Sequence, residues 1–198
     1  MPDAVEAAPT VYTVVLENEE VRVLEATYQP MTRVPMHRHP DHVVYALTGG
    51  KRVADGKEAA IASGAAVFER AGKHEVEVAG PSATRAILVE LGTKRGAAAP
   101  AGDDPVTKLP RVYKLLLDEA RVRVLDVTFG KGTSKPVALG DHVLLARDKG
   151  TLVVTPRGAT EQRLELEPGK LLFFPAGVYT ATNPKRESFE VVLFELKP

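Results

Sequence analysis

The chain has 198 residues, 44% of them hydrophobic, with lysine plus arginine and aspartate plus glutamate at 26 each. That length and apolar content allow a buried core in one domain or in two small ones, and a formal charge near zero gives no basis for nucleic acid or an anionic membrane as a partner. Cysteine is absent, which excludes disulfides, thiolate metal sites and cysteine nucleophiles and leaves nitrogen and oxygen to hold any metal.

Residues 1–10 read as an acidic, flexible tail without an apolar h-region, and no apolar run approaches the ~20 residues of a membrane span, so a cytoplasmic location is expected. From Val11 onward, short apolar or alternating runs are separated by turn signals: Val11 to Leu16, Val21 to Tyr28, Val43 to Leu47, Ala65 to Phe68, Glu75 to Val78 and Ala86 to Leu91. Asp55-Gly56 between two such runs predicts a hairpin. No stretch of this half keeps helical spacing for three turns, so the expected class is all-β.

Within Pro35 to Gly50 stand three of the five histidines, His37, His39 and His42, before the sequence turns apolar. Two positions apart on a strand, His37 and His39 share a face; Pro40-Asp41 then breaks the strand and lets His42 restart the alternation. His74 comes from a separate strand-like segment. Histidines from distant segments converging in one small domain are what a metal ion requires, and nitrogen donors suit iron, nickel, zinc or copper rather than magnesium or calcium. The competing reading is a polar loop, or buried histidines satisfied by hydrogen bonds. Arg38, between His37 and His39, is expected to face solvent, and Tyr45 to pack in the core. Glu69, Arg70, Lys73 and Glu75 around His74 read as a solvated turn, the alternative being that they orient an anionic substrate or support a ligand. His142, the fifth histidine, reads as a satisfied or exposed residue.

The second half repeats the first. Val21-Arg22-Val23-Leu24-Glu25 returns as Val122-Arg123-Val124-Leu125-Asp126, Asp41-His42-Val43 as Asp141-His142-Val143, and Ala71-Gly72 as Ala176-Gly177. The small drift in offset points to a duplicated unit with one residue deleted near Pro40 and a longer hairpin later. The expected organisation is a unit over 11–92 that binds metal, a linker over 93–110, and a unit over 111–198 that has lost its ligands. Ala138 and Gly140 fall where His37 and His39 would stand, Tyr179 falls at His74, and the segment from Pro136 to His142 reads as a loop.

These residues resemble the cupin superfamily, and specifically a bicupin. The first cupin motif is Gly, five residues, His-x-His, three or four residues, Glu, six residues, Gly. His37-x-His39 occupies the paired histidines, and His42 stands in the glutamate position counted back from Gly49. The second motif is Gly, five residues, Pro-x-Gly, two residues, His, three residues, Asn; Gly64, Arg70-Ala71-Gly72 and His74 match it one residue short. At the strict count stands Glu75, which is an alternative ligand. Met31, Arg70 and Val78 depart from the motif glycine, proline and asparagine, while the second copy keeps Gly132, Gly169 and Pro175-Ala176-Gly177.

The resemblance implies two double-stranded β-helix, or jelly-roll, barrels in one chain, with one divalent transition metal held by His37, His39, His42 and His74. It also implies an oxygenase-type enzyme acting on a small anionic or enolisable molecule, with no catalytic residue singled out. The alternative is a non-catalytic small-molecule-binding cupin with a structural metal. The partner expected is a small-molecule substrate or ligand, and a homodimer is left open.

Overall fold

The structure, a computed structural model, describes residues 1–54, 56–78 and 80–198. The chain divides into two compact units, Met1–Lys94 and Arg95–Pro198.

The first unit contains α1 (Ala4–Ala7) and nine strands: β1 (Tyr12–Glu17), β2 (Val21–Tyr28), β3 (Arg33–His39), β4 (His42–Ala46), β5 (Gly50–Ala54), β6 (Lys57–Ile61), β7 (Ala66–Glu69), β8 (Gly72–Val78) and β9 (Thr84–Leu91). They form a five-stranded sheet, β1-β2-β9-β4-β7, and a four-stranded one, β3-β8-β5-β6. Apolar side chains of both sheets meet in one core: Leu24, Ala26, Val44 and Leu88 from the first and Val34 and Val76 from the second. This is a two-sheet jelly roll, as the alternating runs require. The expected Asp55-Gly56 turn falls partly on Asp55, which lies outside the described residues. Gly56 has a φ of 76°, a left-handed conformation open to glycine at no steric cost, and Ala54 pairs with Lys57 across the hairpin.

Residues 1–10 are not the expected loose tail. Asp3 caps α1, accepting from the Glu6 N–H at 2.9 Å, while the Glu6 carboxylate accepts from the Asp3 N–H at 3.0 Å. This is a capping box, and Ala4 and Ala8 are buried in the core.

The second unit contains α2 (Pro105–Lys108) and ten strands: β10 (Tyr113–Asp118), β11 (Val122–Phe129), β12 (Gly132–Thr133), β13 (Val137–Leu139), β14 (His142–Ala146), β15 (Gly150–Pro156), β16 (Gln162–Leu166), β17 (Leu171–Phe174), β18 (Gly177–Asn183) and β19 (Phe189–Leu196). Its five-stranded sheet runs β10-β11-β19-β14-β17; the other runs β12-β18-β15-β16, with β13 also on β18. The expected linker 93–110 therefore includes a capped helical turn whose Pro105 is buried, and the segment from Pro136 to His142 contains β13 rather than being a loop.

Strand register corrects the sequence alignment of the two halves. His37 pairs with His74 and His39 with Gly72, whereas Val137 pairs with Tyr179 and Leu139 with Gly177. Val137 and Leu139, not Ala138 and Gly140, are thus the counterparts of His37 and His39. One residue fewer separates Phe129 from Thr133 than Tyr28 from Arg33, and both pairs bound the same turn. The deletion lies in that turn and not near Pro40.

Candidate metal centre

The His-x-His pair is aimed inward by an irregularity in its own strand. Between Val34 and His37 the register of β3 against β8 shifts, so Val34, His37 and His39 are all buried while Met36 and Arg38 are exposed. Pro35 lies in the shifted segment; without an N–H it cannot donate to the ladder, which favours a bulge at this place. The extra residue turns the following side chains over, and His37 and His39 enter the interior on the face that Val34 occupies one step earlier. β8 then brings His74 directly opposite His37.

Three imidazoles meet. His37, His39 and His74 each offer a ring nitrogen, and the three nitrogens lie within 4.8 Å of one another. The Nε2 atoms of His37 and His39 are 3.0 Å apart and those of His37 and His74 3.1 Å apart. Two of the rings are oriented from behind. The Nδ1–H of His37 donates to the Pro35 carbonyl at 2.8 Å, and that of His39 to Glu90 Oε1 at 2.7 Å. Both acceptors place the proton on Nδ1 and leave the lone pair on Nε2. Bare lone pairs about 3 Å apart repel unless a cation lies between them, so the donor set fits a divalent transition metal. The second unit offers no such set: Val137, Leu139 and Tyr179 occupy the three positions.

His42 stands beside this group and is not one of the three. Its Nδ1–H donates to the Pro40 carbonyl at 2.9 Å. Its ring centroid is 4.6 Å from that of His39, and its Nε2 faces Glu69 Oε2 at 3.5 Å. Glu69 also pairs with Arg52, so it is not the solvated turn residue expected from the sequence. Burial opposes ionisation of Glu69, but the adjoining His42 ring and the Arg52 guanidinium outweigh it and hold the carboxyl at about 2. Glu75, the alternative ligand, forms an ion pair with Arg33 at 2.9 Å on the exposed side of β8. Arg38 is exposed and Tyr45 buried, both as expected.

Burial, reinforced by the neighbouring imidazoles, lowers His74 to about 4, and burial lowers His37 as well. Neutral rings are the metal-binding form. Glu90 behaves oppositely to an isolated buried acid: burial raises it, but hydrogen bonds from His39 and Arg22 more than compensate and keep it below its ordinary range.

Tyr12, Tyr28 and Glu90 escaped the sequence reading. The Tyr12 hydroxyl lies 3.3 Å from His37 Nε2 and 3.0 Å from the Tyr28 hydroxyl. A signal for Glu90 was present, since a carboxylate inside the run Ala86 to Leu91 must find a partner once that strand is buried. Alongside the histidines lies a cavity of about 40 Å³, room for a few waters, whose polar wall includes Tyr28, His39, His42, Arg52, Glu69 and His74.

No family model matches the chain and no curated protein matches it. Solved structures do. A cupin 2 conserved barrel domain protein from Leptotrichia buccalis superposes with a TM-score of 0.58 at 15% identity, covering 94% of this chain and 88% of its own. AerE from Microcystis aeruginosa gives 0.67 at 11%, covering 95% and 98%. Salicylate 1,2-dioxygenase from Pseudaminobacter salicylatoxidans gives 0.61 at 12%, covering 89% and 71%. At these identities the likeness is one of fold: the chain is built of cupin-type β-barrels, and its histidine triad is a set that could hold a metal ion.

Proposed function

We propose that the first unit binds one divalent transition metal through Nε2 of His37, His39 and His74 and works as an oxygenase-type enzyme on a small anionic or enolisable molecule. One observation carries the metal: Nε2 atoms converge at 3.0 and 3.1 Å while Pro35 and Glu90 keep the protons of His37 and His39 on the far side. Three protein donors leave positions open for further ligands, as catalytic sites do.

An ion held there supplies Lewis acidity and, if it is iron, nickel or copper, redox chemistry. The chain's own residues do the positioning. Pro35 and Glu90 fix the ligand rings, Val44, Val76 and Leu88 form an apolar wall of the cavity, and Arg52, paired with Glu69, lies on its polar wall. Neutral imidazoles leave the ion's double charge unneutralised, which favours an anionic substrate. The fold likeness to a salicylate dioxygenase supports the oxygenase class by analogy.

The closeness of His42 to His39 and the narrowness of the cavity favour one competitor, a closed tetrahedral zinc site stabilising a non-catalytic binding module. Protein purified without chelators should carry one equivalent of metal per chain. Loaded anaerobically with iron(II), it should change its absorption or paramagnetic spectrum on addition of nitric oxide. Zinc with no spectroscopically detectable exchangeable position in its cobalt-substituted form, and metal removal that lowers only thermal stability, would overturn the enzyme in favour of the binding module.

A further inference from the structure

We infer that Glu90 is the positioning residue that sets the metal affinity of the first unit, and that through Arg22 and Asp3 the N-terminal helical turn belongs to the metal centre. This rests on the metal reading above. The Glu90 side chain is 1% exposed and both its oxygens are used: Oε1 accepts from His39 Nδ1–H at 2.7 Å and Oε2 from Arg22 Nε–H at 2.6 Å. Arg22 Nη1 reaches Asp3 Oδ2 at 2.8 Å, and the other Asp3 oxygen caps α1. A second route runs through the backbone. The Arg38 N–H, between His37 and His39, donates to the Pro2 carbonyl at 3.2 Å, and Asp3 bridges Arg38.

The second unit supplies the independent observation. It keeps Arg123 between Asp104 and Glu195, at 2.6 Å from each, and keeps the backbone contact as Ala138 N–H to Asp103 O at 2.9 Å. There Glu195 Oε1 accepts from the Gly140 N–H at 2.8 Å. The residue at that position in the first unit is Pro40, which has no N–H, so the same carboxylate oxygen turns to His39. A buried carboxylate on Nδ1–H holds the tautomer with its lone pair on Nε2 and makes that nitrogen a better donor. The scaffold is common to both units; its coupling to a ligand exists in one.

The experiment is a zinc(II) titration against a competing chromophoric chelator on the full-length wild type, Glu90→Gln, Asp3→Asn and Glu195→Gln, each checked for folding by thermal melting. Asparagine still caps α1, so Asp3→Asn removes the link to Arg22 and spares the helix. We expect zinc to bind about 10- to 100-fold more weakly to Glu90→Gln, less weakly to Asp3→Asn, and unchanged to Glu195→Gln. Nitrogen-15 NMR of the metal-free wild type should show His39 protonated on Nδ1, a readout that needs no variant. Wild-type affinity in Glu90→Gln, an equal loss in Glu195→Gln, or a His39 proton on Nε2 overturns the inference while leaving the metal reading intact. A wild type that binds no zinc, iron(II) or nickel(II) overturns both.

Discussion

In the first unit the buried carboxylate Glu90 accepts from a histidine ring; in the second, Glu195 accepts from a backbone N–H. Around them the two scaffolds match. The five-stranded sheets have the same strand order, the register shift in β3 recurs between β12 and β13 on β18, and Asp41 and Asp141 accept from Ala71 and Ala176 at 2.7 and 2.6 Å. What differs is the interior. Where the first unit has His37, His39, Glu69, His74 and Tyr28, the second has Val137, Leu139, Phe174, Tyr179 and Phe129. Its remaining His142 donates Nδ1–H to Gly140 O at 2.8 Å and stacks on Phe174 at 5.4 Å, so it is a satisfied core residue. The lesson is that one barrel frame carries either a polar centre or a packed apolar core, and only the side chains facing inward decide which.

The largest effect should come from removing the donors. His37→Ala with His39→Ala is expected to abolish stoichiometric metal, measured by elemental analysis of protein purified without chelators; one retained equivalent would place the metal elsewhere and erase the contrast between the units. His42→Ala should weaken metal binding far less, because that ring stands beside the triad.

The counterpart positions of the second unit should answer in stability alone. Leu139 is 3% exposed in the core, so Leu139→Ala should cost about 2–5 kcal/mol in denaturant unfolding of that unit and leave metal content untouched. A loss of metal in this variant would show that the second unit contributes to metal binding.

Acid sharpens the comparison from the other side. Burial lowers His142 below its ordinary value of 6.5. Between that value and the folded-state pKa the unfolded chain binds the proton and the native one does not, so the contribution is present above pH 6.5 and is lost as pH falls below it. His142→Phe should flatten the acid limb of melting temperature against pH for the second unit, and an unchanged slope would show that His142 is not responsible.

A smaller effect is expected at the tyrosine pair. Tyr28→Phe reproduces the Phe129 arrangement and removes one hydroxyl contact of buried Tyr12, which should cost about 0.5–1.5 kcal/mol in thermal melting with metal content unchanged. A loss of metal would assign Tyr28 to the centre itself.

The all-β class, the short strands and the histidines were legible in the sequence because alternation and residue chemistry are local properties. Local too were the break at Pro40-Asp41 and the apolar strand that carries Glu90. Tertiary structure alone decided which residues stand opposite which. Residue counting placed Ala138 and Gly140 at the positions of His37 and His39, but a deletion in a turn shifts every later position, and only the pairing of β13 with β18 identifies Val137 and Leu139. Pairing also separated His42 from the triad, turned Glu75 outward to Arg33 and brought Glu90 behind His39. These are contacts between strands far apart in the chain, set by register and by a bulge, and a one-residue slip in either turns a side chain to the opposite face.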